Sequence, residues 1–210
     1  MAASTKILLI SLAILVAVRS IEALNPNVTR IQFYMHDIVS GPNATAIQVA
    51  GRRTNYTGSD PIAAMFGSVF MMDNPLTLTP ELNSTLLGRA QGIYAMSSQQ
   101  NEFSLLMTLT FAMTGGPYNG SSFSVVGRNP IMNEVREMPV VGGTGIFRLV
   151  RGYCLARTFS FREMDAVIGY NVTLIHDLYN YSGLVWDLSG PKDSFIRIGR
   201  STLAETTVTN

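Results

Sequence analysis

Apolar and polar residues alternate along most of this chain, and the period of two is typical of β-strands with one buried face. Residues 103–113 show it most strongly, with six large apolar side chains on one face and mostly Ser, Thr and Ala on the other. Turn signals rich in Gly, Pro and Asn separate these segments. The predicted strands are 31–39, 46–50, 66–73, 87–96, 103–113, 123–129, 147–153 and 166–176.

These segments contain no convincing helical pattern between the N-terminal stretch and residue 176. Regular short strands with clean alternation predict an all-β fold, either an antiparallel barrel or a sandwich. A closed barrel of eight strands has room inside for side chains or for one small ligand. A barrel would therefore offer a binding site without any further domain.

The first predicted strand carries a carboxylate at the end of an apolar face. Asp37 shares that face with Ile31, Phe33 and Met35, whereas His36 points to the other side if the strand is regular. Such a carboxylate is either a catalytic group or half of a structural ion pair. Arg136 and Arg151 are the candidate partners for the pair.

We interpret residues 130–146, which connect two predicted strands, as a polar loop that ends in a glycine turn. The densest ionisable patch of the chain overlaps it and consists of Arg128, Asn129, Glu134, Arg136 and Glu137. We expect a solvated loop with surface ion pairs there, and a functional site is the alternative.

The two ends of the chain differ from its middle. Lys6 precedes an apolar run of about 12 residues, followed by small residues, which predicts a secretory signal peptide at 1–23 with cleavage after Ala23, or alternatively after Ser20. Residues 24–176 form the predicted barrel domain. After His176 the alternation stops, and we expect 177–210 to be a poorly ordered extension, with a short docked element around 184–188 as the alternative. The mature protein is thus expected to be secreted and extracellular.

Composition supports a secreted globular domain. The 210 residues have a formal net charge of +1, which argues against a nucleic-acid partner and against a polybasic membrane anchor. The single cysteine, Cys154, cannot form an internal disulfide, and we expect it to be buried in a strand. Asn-X-Ser/Thr sequons predict N-glycosylation. They occur at Asn27, Asn43, Asn55, Asn83, Asn119, Asn171 and Asn180.

Motifs of familiar cofactor chemistry do not occur. The two histidines, His36 and His176, do not have metal-ligand spacing, and we predict no metal site. No phosphate loop, dinucleotide-binding glycine pattern or nucleophile elbow is present, and we predict no cofactor.

Five motifs of the chain resemble plant dirigent proteins, over about residues 31–176. They are FYMHDI at 33–38, GSVFMMDNPLT at 67–77, LGRAQGIYAM at 87–96, VVGRNPIMNEVREMPVVGGTGIFRLVRGY at 125–153 and AVIGYNVTLIH at 166–176. The resemblance implies a lipocalin-like, eight-stranded antiparallel barrel, usually a homotrimer, secreted to the plant apoplast. It also implies a role in phenylpropanoid and lignan biosynthesis and in plant defence.

The resemblance implies an activity without redox chemistry of its own. A separate laccase or peroxidase generates phenoxy radicals from monolignols such as coniferyl alcohol, and the dirigent protein directs their coupling into optically active lignans. A tenfold product ratio requires only about 1.4 kcal/mol between two coupling geometries.

Site residues follow from the matched motifs. The resemblance implies that Asp37 is a general acid or base for a quinone methide and that Arg136 holds a phenol, phenoxide or carboxylate oxygen. It implies that Tyr94 lines the substrate pocket. We also expect Asn129, Phe33, Phe111 and His36 to contact the small phenolic substrate.

Two departures bear on the activity. Lignan-forming members carry aspartate at the position of Asn129, and they commonly have two cysteines able to pair. The leading hypothesis is a non-enzymatic guide for radical coupling. The alternative is a pterocarpan-synthase-like dehydratase-cyclase with Asp37 as the acid, as in some members of the dirigent-like branch. A third possibility is a small-phenol carrier without control of the product.

Overall fold

The computed structural model describes residues 10, 11, 14, 27–51 and 58–176. The first three are helical and belong to a compact unit separate from the one described below. The predicted cleavage site after Ala23, the extension at 177–210 and the sequons at Asn55 and Asn180 lie outside the described residues.

The main unit is built almost entirely of strands. They are β1 (Val28–Asp37), β2 (Ala46–Ala50), β3 (Val69–Thr77), β4 (Leu86–Met96), β5 (Ser104–Met113), β6 (Ser122–Pro130), β7 (Arg136–Thr144), β8 (Arg151–Arg162) and β9 (Asp165–Ile175). One short helix, α1 (Pro61–Met65), precedes β3, and single 3₁₀ turns occupy Gly116–Tyr118 and Gly145–Phe147. None of the described helices is long and apolar enough to cross a bilayer.

The strands form a closed antiparallel barrel. From β3 to β9 each strand pairs with the next in sequence, and β9 returns to β1. The barrel closes where β1 meets β3, with Tyr34 opposite Thr77 and Met35 opposite Leu76. The short β2 pairs with β3 outside this ring. The prediction of an eight-stranded antiparallel barrel is therefore confirmed.

The predicted set of strands was wrong in the segment that follows β6. Residues 136–144 form β7 and not a loop, with Arg136, Met138 and Val140 on the buried face. The strand at 147–153 was also misplaced, because 145–147 is a 3₁₀ turn and β8 begins at Arg151. The barrel has eight strands because β7 enters the ring and β2 stays outside it.

The strand predicted at 66–73 is displaced along the chain, because β3 begins at Val69 and continues through Pro75 to Thr77. The segment before β3, where no helix was predicted, contains α1. Its N-cap Asp60 accepts a hydrogen bond from the Ile62 backbone amide at 2.9 Å, and Pro61 lies in the first turn. Pro in the first helical turn loses no hydrogen bond, which explains the position of this helix.

One part of the barrel interior is filled by aromatic rings. Phe33, Phe111, Phe123 and Phe147 have no exposed surface. Phe111 lies 5.2 Å from Phe33 and 5.0 Å from Phe123, measured between ring centroids. Contacts at these distances add to the free energy of burial. Cys154 is buried and unpaired in β8, as predicted.

Candidate functional site

Asp37 lies at the end of β1, beside the point where the barrel closes. Its side chain is partly buried, and Asn74 Nδ2 donates a hydrogen bond to Asp37 Oδ1 at 3.0 Å. Asn74 is fully buried in β3, on the face that also carries Phe70 and Met72. The closure of β1 on β3 therefore brings together two polar groups that are 37 residues apart in the sequence.

The surroundings of Asp37 favour its protonated form. Burial raises the pKa of its carboxyl, and the negative charge of Asp165 acts in the same direction. The hydrogen bonds from Asn74 and Tyr94 oppose this increase in pKa but do not cancel it. A carboxyl with a raised pKa keeps its proton closer to neutral pH, which suits a general acid.

Tyr94 lies in β4 on the same side of the barrel wall. Its ring stacks on Phe70 with centroids 4.9 Å apart, and its hydroxyl bonds to Asp37. Burial and the nearby Asp37 carboxylate raise the pKa of this phenol well above its usual value. Tyr94 therefore stays a neutral hydrogen-bond donor over the whole physiological range.

Arg136 is a buried cation at the start of β7. Its side chain is 3% exposed, and Nη1 donates to Thr158 Oγ1 at 2.8 Å and to the Asn133 carbonyl at 3.3 Å. Nε has no protein partner, and within residues 27–51 and 58–176 no carboxylate forms an ion pair with it. Burial lowers the pKa of the guanidinium. An unpaired buried guanidinium is well suited to bind an anionic or phenolic oxygen.

Asn129 is a second polar group inside the barrel. It is buried in β6, and its Oδ1 has no partner among the described residues. Arg136 begins the neighbouring strand β7, so the two buried polar residues belong to adjacent strands. The ionisable patch is therefore divided between two surfaces. Arg128 pairs with Glu102 and Arg157 with Glu134 on the outside, while Asn129 and Arg136 face inward.

Two clefts adjoin this region. One of about 490 Å³ is lined by His36, Asp37, Ser40, Ser160 and residues of the β8–β9 hairpin. The other, of about 510 Å³, is lined mainly by apolar residues that include Val39, Ala46, Met65, Phe70 and Met164. Phe70, which lines the second cleft, stacks on the Tyr94 ring.

Comparison with known proteins now gives the family. The family model described as Dirigent-like protein matches residues 28–175. Dirigent protein 23 of Arabidopsis thaliana is 48% identical over 151 residues, which cover 71% of this chain and 78% of that protein. The chain belongs to the dirigent family.

Proteins named as pterocarpan synthases are among its relatives. Pterocarpan synthase 1 of Glycine max is 47% identical over 70% of this chain and 78% of that protein. The solved structure of the pterocarpan synthase dirigent protein GePTS1 matches with a TM-score of 0.66 at 41% identity, covering 73% of this chain and 87% of that one. The corresponding structure of PsPTS1 gives a TM-score of 0.65 at 45% identity over 71% and 96%.

Within this dirigent barrel the predicted site residues fall into three groups. Asp37 and Tyr94 lie together, and Asn129 and Arg136 are buried polar groups on the adjacent strands β6 and β7. Phe33 and Phe111 belong to the fully buried aromatic core. Contact of any of these side chains with a substrate stays a prediction.

His36 occupies the opposite face of β1 from the apolar interior, as the alternation predicts. It is buried, and its Nε2 lies 2.7 Å from Thr77 Oγ1, which itself donates to the Thr79 carbonyl at 2.7 Å. Since that hydroxyl proton is used, Nε2 is the donor. Burial lowers the pKa of His36, which favours the neutral ring.

Residue-by-residue reasoning missed several members of the dirigent site. Asn74 and Thr45 contact or support Asp37, and Tyr170 lies within electrostatic range of both Asp37 and Arg136. The sequence does indicate that Asn74 points inward, because Asn74 continues the alternation of the buried residues Phe70 and Met72. The ion pair of Asp37 with Arg136 or Arg151, weighed as an alternative, is not found among the described residues.

Proposed function

We propose that this chain is a dehydratase-cyclase for a phenolic alcohol of the flavonoid type, acting through a quinone methide. The observation that supports it is the carboxyl of Asp37, which is held by Asn74 and has a raised pKa. The pterocarpan synthases among the relatives and solved structures agree with this choice. Asn129 supports it too, because radical-coupling members that the chain resembles carry a carboxylate at that position.

In the proposed reaction Asp37 gives its proton to the leaving hydroxyl of the substrate, and the carbon–oxygen bond breaks to release water. The electron pair that fills the vacated carbon comes from a ring phenol whose proton passes to solvent water, which produces the quinone methide. A second phenol of the same molecule then attacks the methide carbon and gives its proton to the Asp37 carboxylate. The first phenol takes a proton back from solvent, so the net change is loss of one water.

Arg136 has the complementary role in this proposal. Negative charge develops on the oxygen of the first phenol as its proton leaves, and a buried guanidinium stabilises such charge more strongly than water does. Its Nε has no acceptor among the described residues, so that N–H is not committed to another group. The apolar surroundings exclude water, which would otherwise add to the quinone methide.

The test is an oxidant-free incubation of the purified protein with an isoflavanol that carries a free phenol. We expect loss of one water by mass spectrometry and an excess of one enantiomer on a chiral column. Asp37→Asn should abolish the activity, since an amide cannot donate the proton. Unchanged substrate with the native protein, over a panel of such alcohols, would contradict the proposal.

A second candidate is the stereoselective coupling of monolignol radicals. The polar groups are separated into an Asp37–Asn74–Tyr94 cluster and the buried Asn129 and Arg136 of the adjacent strands β6 and β7, which favours it because two phenolic rings need two polar anchors. The test supplies coniferyl alcohol and a laccase or peroxidase, with and without the protein. An enantiomeric excess in the lignan would support this candidate, and a racemic product would exclude it. A carrier would change neither product.

The setting of the activity is also part of the proposal. We expect a secreted, glycosylated homotrimer in the apoplast. Among the described sequons, Asn27, Asn43, Asn83, Asn119 and Asn171 are all exposed, as attachment of a glycan requires. Sedimentation of the secreted protein and mass spectrometry of its glycopeptides would test these expectations.

A further inference from the structure

A chain of hydrogen bonds reaches Asp37 from the loop between β1 and β2. The Ile38 backbone N–H donates to Thr45 Oγ1 at 3.2 Å, and Thr45 Oγ1 donates to Asn74 Oδ1 at 2.6 Å. Asn74 Nδ2 then donates to Asp37 Oδ1 at 3.0 Å. Asn74 is fully buried, so water cannot replace these partners.

This chain determines which way the Asn74 amide faces. Thr45 Oγ1 has one proton, and its alternative acceptor, the His36 carbonyl, is farther away at 3.3 Å. The contact with Asn74, at 2.6 Å, has the length of an O–H···O bond and is shorter than an N–H···O bond, so the hydroxyl donates to the amide oxygen. The amide nitrogen must therefore face Asp37.

The orientation of Asn74 in turn selects between the two oxygens of Asp37. Oδ1 accepts from the Asn74 amide, so a proton on Oδ1 would oppose an N–H donor. The acidic proton therefore belongs on Oδ2. Without this selection the proton would be shared between the two oxygens, of which Oδ1 is the one bonded to Asn74.

We propose that Asn74, oriented by Thr45, is a positioning residue that places the acidic proton of Asp37 on Oδ2, the oxygen that serves the substrate. The proposal rests on the proposed function of Asp37 as a general acid. Neither Asn74 nor Thr45 needs to touch the substrate.

Other titratable groups also act on Asp37 and must be held constant in the test. Tyr94 bonds to it from β4, Asp165 repels its charge from the start of β9, and Tyr170 lies nearby on β9. His36 is the neighbour on β1. Asp165 is itself fixed, because its carboxylate accepts from the backbone amides of Val39 and Ser40 at 2.8 and 2.9 Å. None of these contacts involves the side chains changed below.

The direct test is a carbon NMR titration of the Asp37 carboxyl in the folded full-length protein. Asn74→Leu removes the donor at nearly constant volume, and we expect the pKa of Asp37 to rise by about one pH unit. Thr45→Val leaves Asn74 in place but frees its amide to turn, and a smaller rise should follow. Thr45→Ser keeps the hydroxyl and should leave the pKa unchanged.

The loop offers a matched control for glycosylation. Thr45 is also the third residue of the sequon at Asn43, so Thr45→Val removes the attachment site as well as the hydroxyl. Asn43→Gln removes the sequon alone, at an exposed position, and should behave as the native protein. Any effect of Thr45→Val that Asn43→Gln does not reproduce belongs to the hydrogen bond.

The second readout is the pH profile of the dehydration. We expect Asn74→Leu to lower kcat by about tenfold with little change in KM and to move the alkaline limb of kcat up by about one pH unit. A purely structural role would reduce the yield of folded protein without moving that limb. If Asn74→Leu does not fold, both the NMR titration and the pH profile are measured on Thr45→Val.

The proposal would be overturned if the pKa of Asp37 is unchanged in both Asn74→Leu and Thr45→Val. Where only Thr45→Val folds, an unchanged pKa in that variant is sufficient. The failure of the proposed function would look different. In that case Asp37→Asn would retain full activity, or the native protein would have none, while the NMR titration would still report on the hydrogen bond.

Discussion

Replacement of Arg136 by methionine should make the protein more stable and less active. The guanidinium is 3% exposed, and no carboxylate among the described residues compensates its charge. Transfer of an ion from water into a protein interior costs several kcal/mol, and good pairing is needed to offset it. A buried cation without a compensating charge lowers the free energy of unfolding. Such a cost is expected for a group that is retained for binding.

The Arg136→Met substitution removes only interactions that contribute little to stability. Arg136 donates two hydrogen bonds, to Thr158 Oγ1 and to the Asn133 carbonyl, and both acceptor residues are exposed. Water can replace the donor at each of them, so their loss costs little. Replacement of buried charged groups by apolar residues of similar volume is neutral or stabilising by about 1–4 kcal/mol. We expect a gain of about 2 kcal/mol.

The assay is thermal unfolding of Arg136→Met beside the native protein. In a domain of this size 1 kcal/mol shifts Tm by about 2–4 °C, so an increase of about 4–8 °C is expected. Arg157→Met is the matched control, because Arg157 is 57% exposed and pairs with Glu134 at the surface. Its effect should stay within about 0.5 kcal/mol. A loss of more than about 1 kcal/mol in Arg136→Met would refute the reasoning and make Arg136 a structural residue.

Three further predictions concern other buried groups. Because folding raises the pKa of Asp37, the stability that this group contributes is present below its unfolded pKa and is lost as pH rises through its folded pKa. Asp37→Asn should therefore raise Tm at about pH 8 and change it little at about pH 3; an equal shift at both values would contradict this. Phe111→Ala should cost about 3–5 kcal/mol in denaturant unfolding, whereas Phe159→Ala, at a side chain 62% exposed, should cost far less. Burial raises the pKa of Cys154 to about 12, so thiol reagents at about pH 8 should label it only after unfolding.

The sequence predicts the barrel well because most of its strands have one apolar and one polar face. In β5 the buried residues Leu105, Met107, Leu109, Phe111 and Met113 follow the predicted alternation. In β1 the buried apolar residues Ile31, Phe33 and Met35 do so as well, whereas His36 is buried on the opposite face. These patterns depend only on the neighbours in sequence, and they are visible without any knowledge of the partner strand.

The sequence was misleading at β7 for a physical reason. Its buried face begins with Arg136, a charged residue at an inward position, and Pro139 and two glycines at 142 and 143 are typical of turns. Val141 is an extra residue between Val140, which pairs with Val125, and Gly142, which pairs with Ser124. This bulge breaks the period of two. The irregular strand is also the one that supplies the buried cation of the site.

The arrangement around Asp37 could not be predicted from alternation. Asp37 and Asn74 meet only because β1 closes the barrel against β3, and a contact of this kind depends on the register of two distant strands. Family motifs located Asp37, Tyr94 and Arg136 in the sequence. They did not reveal that Tyr94 bonds to Asp37, nor that Arg136 lacks a carboxylate partner among the described residues.

The most direct test of the account is a comparison of the native protein with Asp37→Asn on one phenolic alcohol, in the absence of any oxidant. Loss of water and formation of a single enantiomer of the ring-closed product are followed on the same sample. The account predicts turnover by the native protein and at least a hundredfold lower rate, on the order of a missing general acid, for Asp37→Asn. Equal turnover by the two proteins would contradict the role of the Asp37 proton, and with it the proposed mechanism.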